Sequence, residues 1–112
     1  VQEIIGQGIL ERLNGDLQLA REVTLLDELM RRIGKDEPVA YGMEAVKDAT
    51  NCGAVQTLMV VDRLLRNPDA ASLITRAEEM RSEVVIFSSR FEPGERLIGL
   101  GGIAAILRYA IG

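Results

Sequence analysis

Apolar residues recur along this chain in steps of three and four over some stretches and as short unbroken runs over others, and the two patterns alternate. Ile5, Ile9 and Leu13 fall on one helical face within residues 2–13, and Asn14-Gly15 then predicts a stop. From Asp16 to Ile33 the positions Leu19, Val23, Leu26, Met30 and Ile33 form a second stripe that Leu25 and Leu29 widen. Gly34 is expected to end that helix, with Arg31, Arg32 and Lys35 near its negative pole. A short strand is expected at Val39, Ala40 and Tyr41. Met43–Cys52 carries Ala45, Val46 and Ala49 at helical spacing, with Gly53 as a left-handed cap.

Ala54–Val61 is apolar except for Gln56 and Thr57, which predicts a strand covered on both faces and central in a sheet. One helical turn at residues 63–66, the breaker Asn67-Pro68 and a helix from Ala70 to Arg81 capped by Asp69 follow, with Leu73, Ile74 and Ala77 inward. A second buried strand is expected over Glu83–Ser88. Pro93 suits the first turn of a short helix reaching about Leu100. Gly101-Gly102 then resets the backbone for a last strand, Ile103–Leu107. This alternation predicts an α/β fold, a sheet with helices on both faces and right-handed crossovers wherever neighbouring strands are parallel.

At 112 residues the chain has the length of one domain with a real core. Two Tyr and two Phe are its only aromatic residues, so that core must be aliphatic. The net charge of −4 argues against a domain built to grip a phosphate backbone. Ten acids and six bases lie in residues 1–52, whereas residues 53–112 hold seven of each, and every base there is Arg. Arginine's planar fork suits protein interfaces, which directs attention to the second half. The single Cys52 fits a reducing cytosol and reads as a small buried hydrophobe; with no His, the usual general base and metal ligand is missing. The longest apolar run, Leu97–Leu107, is interrupted by three glycines and falls well short of the ~20 residues of a membrane span. The start at Val1 suggests an excised fragment.

Gly99-x-Gly101-x-x-Ala104 matches the dinucleotide fingerprint in letters only, because a helix precedes the glycines and a strand follows them. Ser88 and Ser89 sit at a strand end without a base beside them, so loop hydrogen bonding is their expected role. Asp36-Glu37 and Glu78-Glu79 are sequence neighbours and do not face each other on a helix. No metal or other cofactor is expected. What remains are two Arg-aromatic pairs just beyond strands, Arg90-Phe91 and Arg108-Tyr109, the residue types most enriched at interface hot spots.

Tyr41-Gly42, Gly53-Ala54-Val55-Gln56-Thr57-Leu58, Asp62-Arg63-Leu64-Leu65-Arg66, Val85-Ile86-Phe87-Ser88-Ser89, Gly94-Glu95 and Gly102-Ile103-Ala104-Ala105-Ile106-Leu107-Arg108-Tyr109 together resemble the C-terminal domain of the Pelota family. These are archaeal and eukaryotic ribosome-rescue factors related to class I termination factors. The resemblance runs from residue 16 to the end, leaving residues 1–15 as a helix that could continue an upstream domain. It implies a three-layer α/β/α sandwich with a mixed sheet, like the kink-turn-binding ribosomal proteins.

The resemblance also implies a role without catalysis. It points to a cytoplasmic interaction domain docking a translational GTPase and a recycling ATPase of the ABC class during no-go mRNA surveillance, on the ribosome in the context of the full protein. Related termination factors bind their GTPase through a Gly-Ile-Leu-Arg-Tyr motif. Ile106, Leu107, Arg108 and Tyr109 match it, with Ala105 in place of the glycine. Arg90 and Phe91 are expected to extend that surface. Termination factors proper usually carry an insertion after the strand ending at Asp62, which this chain lacks. The alternatives are the corresponding domain of a class I peptide chain release factor and a structured-RNA-binding module, the latter disfavoured by the acidic balance.

Overall fold

A computed structural model describes residues 2–109, with side chains from residue 17 onward. The first helix, α1, runs over Gln2–Gly34. It passes through Asn14-Gly15 instead of stopping there. A mid-helix glycine costs only about 1 kcal/mol relative to alanine, which is too little to break a long helix that contains no proline. The expected stripe of Ile5, Ile9 and Leu13 lies outside the described side chains.

Gly34 likewise stays helical, and the chain turns at Asp36, whose φ of 58° is left-handed. The N–H of Glu37 then reaches the Arg32 carbonyl at 2.9 Å, and that of Asp36 reaches Ile33 at 3.3 Å. This pairing of the last carbonyls recurs at the ends of the other three helices, with Gly53, Arg81 and Gly101 in the left-handed position.

Strand β1 (Val39–Tyr41) leads into α2 (Met43–Asn51), and β2 (Val55–Val61) follows. A 3₁₀ turn over Asp62–Arg66 precedes α3 (Pro68–Glu79). Asn67, not Asp69, caps α3: its side chain accepts from the N–H groups of Asp69 (2.8 Å) and Ala70 (3.3 Å). Pro68 fits directly after it because its fixed φ is already helical. Then come β3 (Glu83–Phe87), α4 (Glu92–Gly99) and β4 (Ile103–Leu107).

The four strands lie in the order β1-β4-β2-β3. β2 and β3 are parallel, and β4 runs antiparallel to both β1 and β2, so the sheet is mixed. β2 is an inner strand, as its apolar run implies. β3 is an edge strand, which departs from the expectation of a fully covered one.

The register of β2 shifts between Val55 and Thr57, a bulge at exposed Gln56. It lets Val55, Leu58 and Val60 share the face packed by Val46 and Ala49 of α2 and Leu73 and Ala77 of α3. Met59 and Val61 face the other layer, with Leu26 and Leu29 of α1 and Leu97 of α4. The result is the expected three-layer α/β/α sandwich.

Gly101 and Gly102 have φ of 109° and 82° and turn α4 into β4. A Cβ on Gly102 would lie 2.8 Å from Leu64 Cδ1, and one on Gly101 3.0 Å from the Gly42 backbone, so the turn needs both the left-handed conformation and the close approach.

Candidate functional site

β4 is buried along its whole length, and that decides the role of two candidate residues. Ile106 and Leu107 are each 3% exposed, packed into opposite layers of the core. They are not available for a partner. The expectation that they join the binding surface is corrected by strand alternation, which sends successive side chains into the two layers of a doubly covered sheet.

Arg108 and Tyr109 are the first exposed residues after β4. The Arg108 N–H donates to the Ala54 carbonyl at 2.7 Å and so extends the pairing of β4 with β2 by one residue. Its guanidinium reaches the Met80 carbonyl, the C-cap of α3, at 3.5 Å. The Tyr109 hydroxyl donates to the carbonyl of Cys52, the C-cap of α2, at 2.8 Å. A cation and a phenol thus serve carbonyls that the helices leave unpaired. Arg76 of α3 also bonds the Asn51 side chain of α2 here. Tyr109 remains half exposed, so its ring stands at the surface on a base of two helix ends. Cys52 is exposed in this cluster and is not the buried residue its neighbours implied, because the C-cap position turns it outward.

Arg90 and Phe91 lie elsewhere. They follow β3, whose Phe87 pairs with Val61 at the end of β2, whereas Arg108 pairs at its beginning. At about 3.3 Å per residue, the span of β2 and its flanks separates the two pairs by about 25 Å. They do not form one small patch: the parallel pairing of β2 with β3 puts the two pairs at opposite ends of β2. Arg90 is exposed, and Phe91 is the half-buried N-cap of α4.

The turn before them is tightly held. The Ser88 N–H donates to Glu22 Oε1 (2.9 Å), the Ser89 N–H to Asp62 Oδ1 (3.2 Å) and the Phe91 N–H to the Ser88 carbonyl (3.2 Å). A hydrogen bond from the Ser89 side chain, above all, keeps the Asp62 carboxyl below the usual carboxylate range; the backbone N–H groups of Ser89 and Arg63 and the Arg63 charge add to this. The serines therefore serve the loop, as expected. Among the described residues no cluster of three or more Cys, Asp or Glu could hold a metal, and no helix is long and apolar enough to cross a membrane.

A family model for eRF1 domain 3 matches residues 19–111, nearly all of the chain. The chain belongs to the eRF1 domain 3 family. Within that family its likeness is to Pelota: it is 86% identical over 111 residues to a protein pelota homolog of Methanospirillum hungatei, an alignment covering 99% of this chain and 33% of that protein. The chain thus spans about a third of the length of the curated relatives it matches. The fold superposes on Archaeoglobus fulgidus Pelota with a TM-score of 0.89 and 40% identity, over 97% of this chain and 36% of that one. It superposes on ribosome-bound archaeal Pelota, seen with ABCE1, at 0.82 and 37%, over 100% and 32%. For Saccharomyces cerevisiae Dom34, a translation termination-like factor interacting with Hbs1, the values are 0.78 and 27%, over 83% and 28%.

One residue of this eRF1 domain 3 was invisible to motif reasoning. Glu22 is 0% exposed, whereas Val23, expected in the core, is 41% exposed. The buried line of α1 is Glu22, Leu26 and Leu29, in steps of four and three. The signal was its register with Leu26 and Leu29; its charge hid it.

Proposed function

We propose that this chain is the partner-docking domain of a Pelota-like, cytoplasmic ribosome-rescue factor, without catalytic activity of its own, and that Arg108 and Tyr109 form its contact with a translational GTPase. The observation that carries this reading is the exposure of this pair, alone of the Ile-Leu-Arg-Tyr segment, on a base fixed by β2, α2 and α3. Relatives support the setting, since archaeal Pelota is found on the ribosome with ABCE1 and Dom34 interacts with Hbs1. In this reading a recycling ABC-class ATPase is the second partner of the full protein. Arg90 and Phe91 stand at the other end of the domain as a separate surface.

The test is Arg108→Glu, with affinity for the translational GTPase and the thermal midpoint measured together. A loss of about tenfold or more in affinity with the fold retained is expected for a central charged contact. Parental affinity in a folded variant overturns the assignment.

A further inference from the structure

Glu22 is a fully buried carboxylate, and no ion pair among the described residues includes it. A charge in such a place is costly unless it is hydrogen-bonded. Its partners explain it. Oε1 accepts from the Ser88 N–H at 2.9 Å, Oε2 accepts from Gln18 Nε2 at 3.2 Å, and the same Gln18 nitrogen donates to the Ile86 carbonyl at 3.0 Å. Ile86 and Ser88 belong to the open edge of the sheet and to the residue just after it. Two side chains one turn apart on α1 therefore close the edge of β3, taking its carbonyl and its N–H in place of another strand.

The bond to Ser88 ends in the turn that carries Arg90 and Phe91. Ser88 accepts from the N–H groups of Arg90 (3.3 Å) and Phe91 (3.2 Å), and Asp62 holds the adjacent Ser89 N–H. Successive N–H groups of one turn are thus gripped by two carboxylates, one from α1 and one from the end of β2. We propose that Gln18 and Glu22 form a latch that couples the seating of residues 18–22 of α1 on the β3 edge to the shape of the Ser88–Phe91 turn. When α1 leaves the edge, the turn loses one of its two anchors. By reciprocity, a ligand that reshapes the turn loosens α1. This holds whether or not Arg90 and Phe91 touch a partner.

Amide hydrogen exchange followed by NMR on this chain tests the latch. Glu22→Leu keeps the volume and removes the acceptor. The Ser88 amide is expected to exchange about tenfold faster or more, the resonances of Arg90 and Phe91 to shift, and the amides of Val60 and Ala105 to keep their rates. Glu22→Gln, which can still accept, restores Ser88 protection. In the other direction, Asp62→Ala releases the turn and is expected to speed exchange over residues 18–26 of α1 by about fivefold. Should Glu22→Leu not fold, Gln18→Ala opens the same edge at Ile86. An unchanged Ser88 rate with the acceptor gone, an unchanged α1 in Asp62→Ala, or equal acceleration of every amide overturns the proposal.

Discussion

The Tyr109 hydroxyl donates to the Cys52 carbonyl at 2.8 Å, tying the residue that follows β4 and Arg108 to the end of α2. This bond gives Tyr109 a structural duty beside its proposed contact. Tyr109→Phe removes the hydroxyl and keeps the ring. The loss of stability should be about 0.5–1 kcal/mol, at the lower end for a net hydrogen bond because the site is half exposed. Urea unfolding measures it, and a loss above 2 kcal/mol would mean that the phenol does more than serve one carbonyl. Affinity for the GTPase should follow the ring and remain within about twofold of parental, since one exposed hydroxyl contributes little to a contact.

The sequence made the layers legible because burial and periodicity are the same physical fact seen twice. β4 is apolar at every position and β2 at every buried one but Thr57, and α3 carries Leu73 and Ala77 at helical spacing. What stayed hidden depends on contacts between distant segments. Nothing local in Ser88 or Arg108 says that β2 and β3 run parallel while β4 runs against them, so nothing local places the two Arg-aromatic pairs at opposite ends. Glu22 stayed hidden for the complementary reason: a carboxylate enters a core only where a distant N–H awaits it.

Arg81 holds the left-handed position after α3 with a φ of 61°, a place where L side chains are strained by about 1 kcal/mol. The bonds that require it are Arg81 N–H to Glu78 at 3.0 Å and Ser82 N–H to Ala77 at 2.9 Å. Arg81→Gly should therefore raise stability by about 0.5–1 kcal/mol. A higher urea midpoint with unchanged slope is the expected result, and a lower midpoint would show that the arginine side chain makes a stabilising contact of its own.

Gly94 tolerates no side chain. An added Cβ would sit 1.9 Å from the Ser88 carbonyl oxygen, a backbone atom that is itself bonded to the Phe91 N–H. Gly94→Ala must push α4 off the turn, and the expected cost is about 3 kcal/mol, the upper range for overpacking. By contrast, an added Cβ on Gly99 meets nothing within 4 Å, so Gly99→Ala serves as the control and should be neutral or slightly stabilising. Thermal melting of the pair decides the matter.

Hydrogen bonds from Arg31 and then Arg32 lower the Glu28 carboxyl from 4.5 to about 2. A carboxylate depressed in the folded state contributes stability above its unfolded value and loses that contribution as pH falls toward the folded one. Glu28→Gln should therefore be less stable than the parent at neutral pH, and the difference should close between about pH 4.5 and about pH 2. The site is a surface one, so added salt should also shrink the difference. Urea midpoints of both proteins across this range test the sign, and a gap that widens on acidification would refute the pairing as its source.

The separation of the two Arg-aromatic pairs makes the sharpest claim about binding. Arg108 stands at the start of β2 and Arg90 beyond its end, about 25 Å away by strand rise. Sites so far apart, with no shared partner side chain, act independently on affinity. Arg108→Glu is expected to weaken GTPase binding about tenfold or more, Arg90→Glu to change it less than about twofold, and the double variant to show the product of the two effects. If instead Arg90→Glu weakens binding as strongly as Arg108→Glu, the GTPase must lie along the whole length of β2. A double effect that exceeds the product would place both residues in one cooperative contact and remove the two-surface reading.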